Sequence, residues 1–464
     1  MLHMPIVQAL MNRRGDNSFH VPGHKNGTLL PEGTEEILQA VMQVDKTEIT
    51  GLDDLHDASG IIREAEILLS QLYQSRDSRL LVGGSTSGIL AAVLSSVSRG
   101  QTVIVQRNCH QSVFHALELA GAEAVLVEPD IEAQTGTPLG IPSDALQTAF
   151  EEVPEAAAVL VTNPSYEGYV QPLHQHAALC REHDALFIVD EAHGAHFLPG
   201  AKLPFFESSL QHGADLVIQS AHKMLPALTM GAWMHIGTSR VNQAALNRML
   251  QMIQSSSPSY PILASLDAAR AFLAEVTGWK EIAQAAEELC RKTGALVLPA
   301  QLGNWRRDPL KAAFAASLHR STADMENLLE AAGGYAELRT PELFLLTLPL
   351  DADLIHRMTA SVPVFGDRSA AAPEFWHAEP EVRLRRPALR QEEMAMLPTE
   401  SCLLHEAKGR ISAAELIPYP PGVPLVIRGE QLTKRHIEKL YQLRRAGIRI
   451  KGGDDYVRVF KTRA

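Results

Sequence analysis

Between residues 60 and 240 the sequence alternates short apolar runs with segments of helical periodicity. The runs include RLLVG, TVIVQ, EAVLVEP, AAVLVT, ALFIVD and ADLVIQS, and they are separated by segments such as SGILAAVLSSVS, HQSVFHALELAG and HQHAALCREH. Continuously apolar strands connected by amphipathic helices are typical of a parallel sheet with helices on both faces. The pattern therefore predicts an α/β fold with a mainly parallel sheet.

Polar residues directly follow the predicted strands. In open parallel sheets, ligands bind beyond the carboxyl ends of the strands. We therefore expect the polar segments to lie at one edge of the sheet and to form one site. These segments are residues 84–87, 108–110, 162–164, 190–193 and 220–223.

The length of 464 residues exceeds that of one ordinary domain. Past residue 275 the pattern is more helical and irregular, with one further predicted strand in ELFLLTLPL. We predict an N-terminal segment, 1–60, that packs on a large domain, 61–275, followed by a smaller α+β C-terminal domain, 276–464. The proline-dense stretch LIPYPPGVPLVIRGE is predicted to be a rigid connector within the smaller domain.

The charge and the cysteines exclude several classes of protein. Lys and Arg number 42 against 54 Asp and Glu, a formal charge of −12, which disfavours non-specific nucleic-acid binding. No long uncharged apolar window predicts a membrane span, and the start MLHMPIVQALMNRRGDN reverses the order of a secretory signal, so a cytoplasmic protein is expected. The cysteines form no CxxC pair and predict neither zinc nor disulfides: Cys109, Cys180, Cys290 and Cys402.

Residues 190–193 spell DEAH, the box of nucleic-acid helicases, but GxxxxGK[ST] is absent, and so is the GxGxxG of dinucleotide-binding enzymes. Asp190, Glu191, His193 and His196 are all metal-ligand types, yet no HExxH accompanies them. GGSTSG places Thr86 where a serine-hydrolase elbow needs its serine. An organic cofactor is therefore the preferred interpretation, in which Glu191 has no assigned role and no metal is expected.

Lys223 follows the strand LVIQS among apolar residues. Burial there would lower its pKa and leave a neutral amine able to bond to an aldehyde, although a lone lysine can also extend to solvent. Pyridoxal 5'-phosphate requires such a lysine, an acid for its pyridine nitrogen and a phosphate site. Asp190, which ends an apolar strand, supplies the acid.

The loop of residues 84–88 opens a helix, where amides, hydroxyls and the helix dipole favour a phosphate, although such loops are often only helix caps. His110 begins another helix and could lie on the cofactor ring or could be structural. Ser220 and His222 flank Lys223 and could contact the phosphate or merely cap the following turn.

The ordered motifs resemble those of the ornithine/lysine/arginine decarboxylases, and more closely their shorter bacterial branch. The similarity covers about residues 5–275 and ISAAELIPYPPGVPLVIRGE in the smaller domain; the motifs are FHVPGHKNG, GLDDLHDASGIIREAE, GGSTSGILAAV, RNCHQSVFHALELAGA, TNPSYEGYV, VDEAHGAHF, SAHKMLPALTMGAW and SSSPSYPILASLDAAR. The resemblance implies the aspartate-aminotransferase-like fold (PLP fold type I), pyridoxal phosphate, and a homodimer or higher oligomer with active sites at the subunit interface.

The resemblance also implies roles for individual residues. It implies cofactor attachment at Lys223, a pyridinium partner in Asp190, ring stacking by His110 and a ring-edge position for His193. Contacts to the phosphate are implied for Ser85, Thr86, Ser87, Ser220 and His222, with Ser255 and Ser256 reaching the phosphate of the neighbouring subunit.

Two departures from the family pattern concern Gly83, where members often have Asn, and Ala221, where members often have a hydroxyl. Losing a hydroxyl is expected to loosen the phosphate site slightly. No long N-terminal wing domain of the large acid-induced members is expected, so their higher-order assemblies are not assumed.

The activity implied is decarboxylation of a basic L-amino acid, arginine or lysine and less favourably ornithine, to agmatine, cadaverine or putrescine. A cationic substrate requires an acidic pocket because an unpaired buried charge is costly. The candidates are Glu48, Asp53, Asp54 and Glu415, each of which could instead be a structural acid. The alternatives are an aminotransferase or other lyase on the same fold, and a non-catalytic binding protein.

Overall fold

The computed structural model describes residues 2–133, 135–200, 206–366, 383–420 and 422–461. Their contacts divide the chain into two compact units. The first unit comprises residues 1–96 and 188–277, and the second comprises residues 97–187 and 278–464. The domain boundaries placed at residues 60 and 275 from sequence stay a prediction.

The α-helices are numbered in chain order. They are α1 Pro5–Met11, α2 Glu35–Met42, α3 Ile61–Tyr73, α4 Gly84–Ser96, α5 Gln111–Ala120, α6 Ser143–Glu152, α7 His174–Glu182, α8 Ala221–Met224, α9 Gln243–Ile253, α10 Tyr260–Glu275, α11 Trp279–Lys292, α12 Thr322–Ala331, α13 Ala352–Ser361, α14 Gln391–Met396 and α15 Lys434–Arg445. None of these described helices is long and apolar enough to cross a membrane.

The strands are numbered in the same way. They are β1 Asp77–Leu81, β2 Thr102–Gln106, β3 Glu123–Val127, β4 Asp130–Ile131, β5 Pro138–Gly140, β6 Ala158–Thr162, β7 Tyr169–Val170, β8 Leu186–Asp190, β9 Leu216–Gln219, β10 Ala232–Ile236, β11 Leu296–Val297, β12 Gln301–Leu302, β13 Trp305–Arg307, β14 Lys311–Ala315, β15 Leu338–Arg339, β16 Leu343–Thr347, β17 Leu384–Arg385, β18 Thr399–Leu403, β19 Ile417–Tyr419, β20 Arg449–Lys451 and β21 Tyr456–Phe460.

In the first unit, the strands lie in the order β1, β10, β9 and the end of β8. β8 and β9 are parallel, whereas β10 runs antiparallel to both of its neighbours. Every residue of β9 and β10 is buried. The buried side chains of Leu69, Ile218, Trp233 and Leu263 belong to the core of this unit.

In the second unit, β2 lies between β6 and β3 and is parallel to both, and the short β17 pairs with β3 in the antiparallel direction. A separate antiparallel sheet has the order β11, β14, β16 and β15. Its apolar residues, among them Ala313, Leu343 and Leu345, pack with Tyr169 and Trp305. The parallel strands predicted between residues 60 and 240 are present, whereas the antiparallel β10 was not predicted.

Candidate active site

Asp190 is the last residue of β8 and only 5% exposed. Its Oδ1 accepts a hydrogen bond from the Ala192 amide at 3.1 Å. Burial raises the pKa of Asp190, while the charge of Lys223 and the Ala192 N–H oppose the rise. A buried carboxylate is most stable as an ion when a cation lies against it. A protonated pyridine nitrogen is a cation of this kind, so Asp190 suits the role predicted for it.

Lys223 lies on α8, which begins directly after β9, and its Nζ is 3.0 Å from Nε2 of His193. Two nitrogens at this distance share one proton, which either the ammonium or the imidazole donates. His193 is buried, at 5% exposure, and therefore holds the amine in a restricted position. The first unit thus brings together three predicted residues: Lys223, Asp190 and His193.

Two hydroxyls join the first turn of α4 to the loop after β9. Ser220 is fully buried and donates from its Oγ to Oγ of Ser85 at 2.9 Å. Gly84 has a φ of +75°, which favours glycine, and its amide donates to the Met230 carbonyl at 2.8 Å. The first turn of α4 therefore lies beside Ser220, an arrangement of amides, hydroxyls and helix dipole that fits a phosphate.

The remaining predicted phosphate ligands have different environments. Ser87 is buried and donates to the Gly84 carbonyl at 2.8 Å, whereas Thr86 is exposed. Nδ1 of His222 lies 3.0 Å from the Gly231 carbonyl, which orients its ring. Ser255 and Ser256 are exposed. Their predicted reach to a neighbouring subunit stays a prediction.

Glu191, which had no role in the sequence interpretation, ends a buried chain of polar side chains. Its two oxygens accept from the Ser209 amide and from Nε2 of Gln219, both at 2.6 Å. Oε1 of Gln219 lies 3.1 Å from Nε2 of His235, whose Nδ1 lies 2.8 Å from the Ser78 hydroxyl. Burial raises the pKa of Glu191 to about 7 and lowers that of His235 to about 3.

This chain of polar side chains connects the ends of β8 and β9 to β10 and β1. The only sequence signal for it was a Gln and a His inside the otherwise apolar runs LVIQ and AWMHI. Because a neutral His235 donates from Nε2 to the amide oxygen, the amide nitrogen of Gln219 must face Glu191. Within the described residues, no group of three or more His, Cys, Asp or Glu side chains is placed to hold a metal ion.

The acids near the N-terminus differ in their partners. Asp53 is buried, and its carboxylate accepts from the amides of Ser59, Gly60 and Ile62 at 2.8 to 3.1 Å, which caps α3. Asp54 is exposed and accepts from the His56 amide at 2.7 Å.

Glu48 has a different environment. Its Oε2 accepts from the Thr47 hydroxyl at 2.8 Å, while its Oε1 is buried with no hydrogen-bond partner among the described residues. A buried carboxylate oxygen without a donor is costly in the free protein. Of the acids proposed for the substrate, Glu48 is thus the one with a buried carboxylate oxygen that has no donor among the described residues.

His110 and Glu415 belong to the second unit. His110 caps α5, where its Nδ1 accepts from the Ser112 amide at 3.2 Å. Nδ1 therefore serves as a hydrogen-bond acceptor at the start of the helix. Oε2 of Glu415 lies 3.0 Å from Nε2 of His115, and burial raises the pKa of Glu415 while His115 lowers it. The role of His110 at the cofactor ring and that of Glu415 in the substrate pocket stay predictions.

Comparison with known proteins gives matches over nearly the whole chain. The family described as "Orn/Lys/Arg decarboxylase, major domain" matches residues 4–297, and its "C-terminal domain" matches residues 371–450. "Uncharacterized protein YaaO" of Bacillus subtilis is 38% identical over 458 residues, which are 95% of this chain and 94% of that protein.

"Arginine decarboxylase" of the same organism is 29% identical over 460 residues, 94% of this chain and 92% of the relative. The crystal structure of the Francisella novicida lysine decarboxylase LdcF superposes with a TM-score of 0.80, covering 99% of this chain and 81% of that chain at 19% identity. The likeness confirms the predicted fold, the PLP fold type I α/β architecture with a C-terminal domain.

Proposed function

The chain belongs to the Orn/Lys/Arg decarboxylase family, and we propose that its substrate is a basic L-amino acid, with arginine preferred over lysine and ornithine. It is a pyridoxal-phosphate-dependent amino-acid decarboxylase. The preference for arginine is supported by the match to an arginine decarboxylase along 94% of the chain. The products would be agmatine and CO₂.

The residues of the first unit fit pyridoxal phosphate. When bound, this group supplies an acceptor for the electron pair that remains when the carboxylate leaves as CO₂. Lys223 would hold its aldehyde carbon, and Asp190 would hold its ring nitrogen in the protonated form. Ser85, Ser220 and the first turn of α4 would hold its phosphate.

Decarboxylation leaves the α-carbon one proton short, so the site must deliver a proton there. We assign this delivery to Nζ of Lys223, and we assign His193, at 3.0 Å from that nitrogen, to hold and reload it. Both side chains are partly or fully buried, which keeps water from competing with them as the proton source. The contact between Lys223 and His193, in the same unit as the buried Asp190, is the observation that carries this proposal.

The cationic end of the substrate requires an anion. Glu48 is our first candidate because one of its carboxylate oxygens is buried without a partner in the described chain. A guanidinium donates two parallel N–H groups and matches a carboxylate better than an ammonium does. Glu415 is the second candidate, and Asp53 is the weakest because its oxygens already cap α3.

The test is incubation of the purified protein with pyridoxal phosphate and with arginine, lysine or ornithine, while CO₂ and amine are recorded. We expect amine and CO₂ in equal amounts, with arginine fastest, and no product from Lys223→Ala. Lys434→Ala, at an exposed lysine, is the matched control and is expected to retain activity. Failure with all three amino acids would refute the proposal, and a keto acid without CO₂ would identify an aminotransferase instead. The cytoplasmic location and the homodimer stay predictions.

A further inference from the structure

The proline-dense connector that stood out in the sequence makes close contact with the segment that contains His110. β19, at its start, pairs with β20, and Gly422 follows with a φ of +94°. The Gly422 carbonyl accepts a hydrogen bond from the Gln111 amide at 3.1 Å. Pro421 lies outside the described residues. The connector is therefore attached directly next to His110.

A side chain at position 422 would crowd the ring of His110. A Cβ atom added to Gly422 would lie 3.2 Å from Nε2 and 3.3 Å from Cδ2 of the His110 ring. Both distances are shorter than ordinary van der Waals contact, so the ring would have to tilt or the connector would have to move. Nδ1 of the same ring is held by the Ser112 amide, which restricts how the ring can respond.

Arg107 prevents the connector from moving away. Its guanidinium donates to the carbonyls of Pro424 and Leu425 at 2.8 and 2.9 Å, and to a carboxylate oxygen of Glu430 at 2.9 Å. Arg107 is only 8% exposed, and buried charged hydrogen bonds of this kind are among the stronger polar contacts. The short loop from Arg107 to Gln111 is thus attached to the connector at both of its ends, with His110 between the attachments.

We propose that Gly422 is a positioning residue that sets the plane of the His110 ring for stacking on the pyridine ring, with Arg107 holding the connector in register. This inference rests on the proposed function, because it needs His110 at the cofactor ring. It gives the proline-dense connector a part in cofactor binding. Glycine is favoured at this position because its φ of +94° strains other residues and because a Cβ would press on the ring.

The test compares two glycine substitutions in the full-length protein. Gly422→Ala places a methyl group against the ring at a positive φ. Gly409→Ala is the matched control, because Gly409 has a φ of +82° and a Cβ there would meet nothing within 4 Å. The measurements are the dissociation constant of pyridoxal phosphate from the apoprotein and the absorption spectrum of the bound cofactor. We expect Gly422→Ala to weaken binding by about threefold to tenfold, the range of one aromatic stacking contact, and to shift the spectrum, whereas Gly409→Ala changes neither.

A double-mutant comparison separates ring positioning from a general structural effect. In a His110→Ala background, the methyl group has no ring to displace, so adding Gly422→Ala should weaken binding no further. Equal effects of the two glycine substitutions would overturn the inference, and so would a Gly422→Ala effect that persists in full without the His110 ring. If His110→Ala binds the cofactor as tightly as the parent, His110 does not stack and the inference is wrong, while decarboxylation assays judge the proposed function separately.

Discussion

Replacement of Gln219 by Glu tests the direction of the hydrogen bonds around Glu191. In the structure, the Gln219 amide nitrogen donates to Glu191 at 2.6 Å, and Gln219→Glu would place a second carboxylate oxygen at that position. Two ionised carboxylates cannot coexist at this separation, so the folded protein must retain one proton between them. The pKa of Glu191 is already raised to about 7 by burial, which makes it the site of that proton.

The size of the effect follows from proton linkage. Above pH 7 the unfolded variant has both carboxylates ionised, whereas the folded variant binds one proton more. Stability then falls with increasing pH by about 1.4 kcal/mol per pH unit. The folded parent protein still holds about half a proton on Glu191 at pH 7, because the pKa of Glu191 is about 7. It releases this proton between pH 7 and pH 9, which lowers its own stability by about 0.4 kcal/mol. Between pH 7 and pH 9, Gln219→Glu should therefore lose roughly 2 kcal/mol more than the parent does.

Exchange of the two residues provides the control. The double variant carries Glu191→Gln together with Gln219→Glu. Its new amide at 191 can accept from the Ser209 amide and donate to the new carboxylate at 219. That carboxylate can also accept from the His235 ring. Urea unfolding followed by circular dichroism at several pH values measures all three proteins. We expect a steep pH dependence of the stability difference for Gln219→Glu and a flat one for the exchange. Parallel pH profiles for parent and Gln219→Glu would refute the hydrogen-bond directions.

Four further predictions concern the site. His193→Gln should lower kcat by roughly tenfold to hundredfold with little change in KM, because proton reloading is impaired, as measured by steady-state CO₂ release. Asp190→Asn should lower kcat by at least about hundredfold, because the ring nitrogen loses its anion, while the protein still binds the cofactor in an absorbance titration. Asp53→Ala should cost about 1–2 kcal/mol of stability through loss of the α3 cap, seen as a lower midpoint of urea unfolding. Glu48→Gln should raise KM for arginine by about tenfold without lowering that midpoint, and an unchanged KM would exclude Glu48 from the substrate pocket.

The sequence was sufficient to predict the elements that precede the site, because buried parallel strands have a continuous apolar signal. β8 ends at Asp190 and β9 ends one residue before Ser220, as the polar segments indicated. The direction of β10 could not be predicted. A strand that is buried on both faces has no alternation of apolar and polar residues, so its sequence does not indicate whether its partner runs parallel or antiparallel. In the antiparallel register of β10, Trp233 lies opposite Gln219. The strand pairing determines this contact, and the local sequence does not.

The acids show the same limit more clearly. The residue type does not distinguish a carboxylate that caps a helix from one proposed to bind a substrate, and only the positions of nearby amides separate Asp53 from Glu48. The hydrogen bonds from Arg107 to the connector could not be predicted from the sequence either. Its partners lie more than three hundred residues away in the chain, and no local pattern reports such a contact.

The spacing of the site residues along the chain has a consequence for the order of folding. Asp190 and Lys223 lie 33 positions apart and are joined through the parallel pair β8 and β9. The hydrogen bond from the Asp53 amide to the Tyr260 hydroxyl spans 207 positions. Closing the longer loop costs about 1.6 kcal/mol more in chain entropy than closing the shorter one. We therefore expect Asp190 and Lys223 to come together before the segment that contains Glu48 docks, so that the lysine and the acid of the cofactor site are in place in a chain whose N-terminal part is still unfolded.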